Sequence, residues 1–171
     1  MCFLQEPRHI YLCQMQNIYQ KTINNSYSFE GISLHLGEYS KITLHPAPAN
    51  TGIKFKRIDS KLPADENIIE VSYKNIKTSQ LCTTIENKFG LSVSTIEHLM
   101  AALHAFGIDN LLVDIDSSEM PILDGSSIEY TTAIEKIGLK QLKSKKKYLK
   151  ILLICGAGGV VTPSTGRHSR C

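Results

Sequence analysis

The sequence predicts an α+β domain in which two helices pack on one face of a largely antiparallel sheet. Three observations carry that prediction. Period-two alternation of apolar and polar residues dominates 27–73, two amphipathic runs follow near 95–106 and 126–138, and an apolar stretch, Leu111–Ile115, separates them. At 171 residues, 42% of them hydrophobic, the chain has enough apolar surface for one core.

Residues 1–18 read as a loose, disordered extension, because Glu6, Arg8, Gln14 and Gln16 interrupt any apolar core of a secretory signal. Further on, Ile42 and Leu44 alternate with polar neighbours, the Pro46 to Gly52 segment marks a loop, and Ile53 and Phe55 resume the alternation. That pattern predicts antiparallel strands joined by the loop. Ile68 to Tyr73 and Leu81 to Ile85 predict a further short pair. A helix is expected over about 95–106. Ser94 and Glu97 have capping-box spacing, Ile96, Leu99, Met100 and Leu103 share a face, and Gly107 can close the end. Leu111–Ile115 reads as a buried strand. A second capping box, Ser126 with Glu129, opens a helix with Ile128, Ala133, Ile134 and Ile137 inward and Gly138 at its stop. Beyond Lys150, residues 151–155 read as a strand and the rest as an irregular tail.

Composition excludes several classes of function. The net charge is only +3, and the one crowd of lysines (Lys143, Lys145, Lys146, Lys147) has no aromatics interleaved, so it reads as a solvated face or linker and nucleic acid is not an expected partner. The five cysteines, Cys2, Cys13, Cys82, Cys155 and Cys171, form neither a C-x-x-C pair nor a regular framework. This argues against disulfides and a zinc knuckle and for the cytoplasm. Residues 151–161 contain three glycines and fall short of the roughly 20 apolar residues of a membrane span.

The adjacent pair Glu97-His98 is the main chemical signal. Metal-assisted hydrolysis needs a neutral imidazole on the metal and a carboxylate able to take a proton from the attacking water. In H-E-x-x-H enzymes a glutamate directly follows a ligating histidine, but here the position four after His98 is Ala102, so that motif fails. Capping by itself explains Glu97, and a histidine in a first helical turn is more often packed than ligating. Spacing assigns no role to His35, His45 or His104.

Six segments, taken in order, carry more. They are Gly31-Ile32-Ser33-Leu34-His35-Leu36-Gly37, His45 to Ile53, Leu81-Cys82-Thr83, Ser94-Thr95-Ile96-Glu97-His98-Leu99, Gly107-Ile108-Asp109-Asn110 and Pro121-Ile122-Leu123-Asp124-Gly125-Ser126. From about Tyr19 to Lys150 the chain resembles the N-terminal half of the UDP-3-O-acyl-N-acetylglucosamine deacetylase family. The resemblance implies two related α+β domains with a zinc site and an acyl-chain passage between them. It also implies metal-assisted removal of an N-acetyl group from a UDP-linked, acylated glucosamine in lipid A biosynthesis, with Zn2+ as cofactor. By the same resemblance His98 is a zinc ligand and Glu97 the general base. Leu81, Cys82 and Thr83 line the substrate site near the zinc, and His35 stands at its edge. Asp124 and Gly125 are better explained by a turn before the second helix.

The family's remaining zinc ligands lie in a H-K-x-x-D-like segment of the second domain, whereas here no aspartate follows Asp124. The expectation is therefore half of a two-domain deacetylase: an extension at 1–18, the N-terminal deacetylase domain at 19–150, a non-matching tail at 151–171, and a missing second domain. Such a chain would be nearly inactive alone. The alternatives are a non-catalytic module that binds the acyl-nucleotide-sugar, or an inactive fragment. A nucleotide-binding tail around Gly156 to Gly159 misses G-x-G-x-x-G, since position 161 is Val161.

Overall fold

Alternating side chains give the sheet one apolar face, and the computed structural model, which describes residues 18–77, 81–147, 154–156 and 159–161, shows what covers it. The central sheet has five strands: β2 (Tyr27–Ile32), β3 (Tyr39–Pro46), β4 (Ile53–Arg57), β5 (Ile68–Glu70) and β9 (Leu111–Ile115), in the order β2-β3-β9-β4-β5. Along β3, Ser40, Ile42 and Leu44 are buried while Tyr39 and Lys41 are exposed, which is the period-two pattern read from the sequence. Helices α1 (Glu97–Phe106) and α2 (Ile128–Ile137) complete the core. Leu99, Ala102 and Leu103 of the first helix join Tyr130, Ala133 and Ile134 of the second and Phe29, Ile42, Leu44, Phe55, Ile69, Leu111, Val113 and Ile115 of the sheet in one buried cluster. The α+β class stands as expected.

The sheet is mixed, with β4 and β9 pairing in parallel and the other neighbours antiparallel. A parallel pair needs a long crossover. Here it contains β5, α1 and a small three-stranded sheet, β6 (Ile76–Lys77), β7 (Thr84–Glu86) and β8 (Ser92–Val93). The strand expected from Leu81 begins at Thr84, leaving Leu81, Cys82 and Thr83 in the loop before it.

Another pairing departs from the local reading. The lysine-rich segment forms strand β10 (Leu139–Lys145), antiparallel to β1 (Tyr19–Ile23), with Ile23 opposite Leu139. Its burial pattern is almost wholly exposed, so no apolar alternation announces it. Lys146, just beyond, is not a solvated charge: its Nζ donates to Gly107 O at 2.9 Å and sits 3.1 Å from Asp109 Oδ2. Lys146 thus serves the C-terminal end of α1, where cations are favoured.

Neither capping box forms. Ile96 is the N-cap residue of α1, without a side-chain cap bond, while the Ser94 hydroxyl donates to Ser118 O at 3.2 Å. At α2 the N-cap is Ser127, and Ser126 Oγ accepts from Ile128 N–H at 3.1 Å. Ser94 is thus turned away from its helix onto the loop that follows β9, whereas Ser126, one residue ahead of the N-cap, meets only the first N–H of α2. The stops behave as read. Gly107 is left-handed (φ 65°, ψ 38°), its N–H reaches His104 O at 3.0 Å, and Ile108 N–H reaches Leu103 O at 2.9 Å. This is a Schellman ending.

Of the expected extension only Ile18 is described, its carbonyl accepting the Lys146 N–H at 2.8 Å, and residues 1–17 lie outside the described residues, as do 151–153. Past Lys150, β11 (Ile154–Gly156) pairs antiparallel with β12 (Gly159–Val161). A strand therefore stands where a nucleotide-binding reading needs a helix. Among the described residues no helix is long and apolar enough to cross a membrane.

Candidate active site

Glu97 opens α1 half-buried, and its Oε2 accepts the Thr83 N–H at 3.0 Å. Two of the residues singled out from the sequence are thereby joined by one hydrogen bond across 14 positions. Thr83 is exposed, and Leu81, at 92% exposure, projects into solvent. Cys82 is half-buried, with Sγ 3.6 Å from Thr84 Oγ1.

His98 is half-buried on the first turn, and a positive charge there would favour the ionised form of Asp124 in the segment that precedes α2. The Asp124 carboxylate lies below its ordinary range chiefly because Ser126 Oγ donates to it at 2.8 Å and Ser126 N–H at 2.9 Å, with His98 adding to these. Those bonds form an Asx turn, so the turn explanation of Asp124 holds. His104 is exposed on the helix, and His45 bridges Ser26 Oγ (3.1 Å) and Asp114 Oδ2 (3.2 Å) on the sheet.

The segment carrying His35 is laced to the same end of the molecule. Ser33 bridges Pro121, Ile122 N–H donates to Ile32 O at 2.9 Å, and Ser94 bridges Glu119. His35 itself is exposed, while its backbone N–H enters the interior and donates to Glu119. Residues 33–38, 81–83, 94–98 and 119–124 thus converge at one end of the sheet.

Two residues at this end were missed by the sequence reading. Glu119 is fully buried. Desolvation would raise its carboxyl, but the N–H groups of His35 and Leu36 and the Thr95 hydroxyl outweigh that and hold it below the ordinary value. Thr95 is β-branched yet sits at φ 60°, a left-handed conformation that costs such residues most. Leu81 (φ 65°) and Leu123 (φ 53°) are left-handed too, so three of the four non-glycine residues with positive φ among those described flank the site. Backbone strain of this kind gathers at functional positions. No local pattern marks Glu119, which reads in sequence as one more charge in a polar loop.

Among the described residues no group of three His, Cys, Asp or Glu side chains stands ready to hold a metal ion. A catalytic zinc takes three protein ligands, so these residues alone do not fit one.

The fold is a two-layer α+β domain in which Glu97 and His98, the candidate site residues, stand where constrained loops meet a helix start. The sequence model of the family described as UDP-3-O-acyl N-acetylglycosamine deacetylase matches residues 20–156, and the chain belongs to that family. Similar curated proteins carry the name UDP-3-O-acyl-N-acetylglucosamine deacetylase. One from Colwellia psychrerythraea is 42% identical over 134 residues, 78% of this chain and 43% of the relative. One from Wigglesworthia glossinidia brevipalpis is 45% identical over 135 residues, 78% and 44% respectively. One from Neisseria meningitidis is 43% identical over 133 residues, again 78% and 43%. The match spans less than half the length of these relatives.

Proposed function

We propose that this chain contributes the Glu97-bearing half of the active site of a zinc-dependent, cytoplasmic deacetylase that acts on UDP-3-O-acyl-N-acetylglucosamine in lipid A biosynthesis. The observation that carries the proposal is the meeting of Thr83, Glu97 and His98 at one helix start in a member of that family. Glu97 accepts a proton from the attacking water, whose oxygen adds to the acetamide carbonyl carbon. The C–N bond then breaks, the nitrogen takes a proton, and acetate and the free amine leave. The Thr83 N–H fixes the Glu97 carboxylate so that its other oxygen is available for this transfer. Leu81, Cys82 and Thr83 wall the substrate, and His35 meets it at the rim. His98 supplies one zinc ligand, the others coming from a second domain.

Acetate release from the nucleotide sugar tests the proposal. The purified chain alone is expected to be nearly inactive and to hold zinc below stoichiometry. Mixing it with a polypeptide that carries the remaining half of a curated relative should restore turnover and zinc. In that mixture Glu97→Gln should lower kcat by about 10²- to 10⁴-fold, the usual contribution of a general base. Robust turnover with stoichiometric zinc in the chain alone would overturn the two-part reading. If the mixture stays inactive yet the chain binds the nucleotide sugar saturably, a binding module replaces the deacetylase.

A further inference from the structure

A buried carboxylate is tolerated only where donors saturate it, so the donors that reach Glu119 say what it is for. Its Oε1 accepts the Thr95 hydroxyl at 2.9 Å and the His35 N–H at 3.0 Å. Its Oε2 accepts the Leu36 N–H at 2.9 Å and the His35 N–H at 3.2 Å. Successive backbone N–H groups at His35 and Leu36 form an anion-binding concavity of the kind that often takes a phosphate or another anion, here filled by the protein's own carboxylate. Leu34, His35 and Leu36 are otherwise exposed, so this contact seats their loop. On the other side Thr95 lies two residues before Glu97, in its left-handed conformation, and Met120 N–H donates to Ser94 O at 3.1 Å. An apolar side chain of equal volume would fill the space without tying either segment.

We propose that Glu119 is a positioning residue: one buried carboxylate that locks the His35 loop to the start of α1 and so holds His35, Glu97 and His98 in a fixed mutual arrangement. Its catalytic consequence rests on the deacetylase reading, whereas the lock itself does not. Thr95 is the link through which Glu119 acts on Glu97 and His98, and the His35 and Leu36 amides are the link to the loop.

Hydrogen exchange and nuclear magnetic resonance on the full chain test this without turnover. In Glu119→Gln the acceleration of exchange at the His35 and Leu36 amides should exceed, by about tenfold or more, that at the core amide of Val113, which reports only the loss of global stability. The Thr83 amide and His98 ring signals should shift in the same variant. Thr95→Val should leave His35 and Leu36 protected but still shift Thr83 and His98, and Thr95→Ser, which keeps the hydroxyl, should restore the parent signals. Parent-like Thr83 and His98 signals in Thr95→Val would overturn the proposal, because Glu119 would then merely hold a loop. Should Glu119→Gln fail to fold, the Thr95 pair decides alone. In the reconstituted mixture Thr95→Val should lower kcat with KM little changed. An inactive mixture with these signals behaving as expected overturns the deacetylase reading and leaves the lock standing.

Discussion

A carboxylate buried in protein costs several kcal/mol unless its charge is met, and Glu119 is met by two backbone amides and a hydroxyl. Its folded pKa lies below the ordinary value of 4.5, so the unfolded chain takes up the proton first as pH falls. The stability contributed by Glu119 is therefore complete above about pH 4.5 and is lost as pH drops through the lower folded value. Urea unfolding measured between about pH 6 and pH 3 should show a steeper loss for the parent than for Glu119→Gln. At neutral pH the variant should be about 1–3 kcal/mol less stable, since the amide places a donor among donors. An equal acid slope in both proteins would contradict this assignment. Nothing around Ser117, Ser118 and Met120 marks Glu119 as buried, whereas the Asp124 turn was legible because its partner, Ser126, is two residues away.

At the scale of elements, the helix stops were readable and the starts were not. Gly107 is needed because its φ is 65° and a Cβ there would stand 3.3 Å from Lys146 Nζ. Gly107→Ala should cost about 1–2 kcal/mol in denaturant unfolding, the left-handed penalty of an L-residue. The second helix shows how a face can be misjudged. Ile128, expected inward, is 64% exposed, and Tyr130, not foreseen, is buried at 1% with its hydroxyl on Pro121 O at 3.3 Å. Ile128 stands at the first helical position, where the chain still follows the loop. Thermal and urea unfolding should therefore find Ile134→Ala about 2–5 kcal/mol less stable and Ile128→Ala within about 0.5 kcal/mol of the parent.

Across the whole molecule, one core unites the five-stranded sheet and both helices with Ile23 of β1, Ile85 of β7 and Val93 of β8, and the site occupies an end of it where loops replace packing. Phe55, wholly buried on the strand that pairs in parallel with β9, joins the sheet to that core. Phe55→Ala should cost about 3–5 kcal/mol, while Leu81→Ser, at 92% exposure, should change stability by less than about 0.5 kcal/mol. If Leu81 walls the substrate as proposed, the second change should instead raise KM in the reconstituted enzyme, separating binding from folding. Tm and kinetic measurements on the two variants check both statements.

The sequence by itself determined the class of fold, the buried faces of β3 and α1, the glycine stops, and the adjacency of Glu97 and His98. These depend on periodicity and turn chemistry within a few residues, which a chain carries wherever it is placed. Only the tertiary structure decided that β4 runs parallel to β9, that the lysine-rich strand returns to β1, and that Glu119 joins two loops across 84 and 24 positions. Such choices are made when distant segments share one interior. There, the partners of a strand edge or a buried charge are whichever donors and acceptors the packing brings within reach.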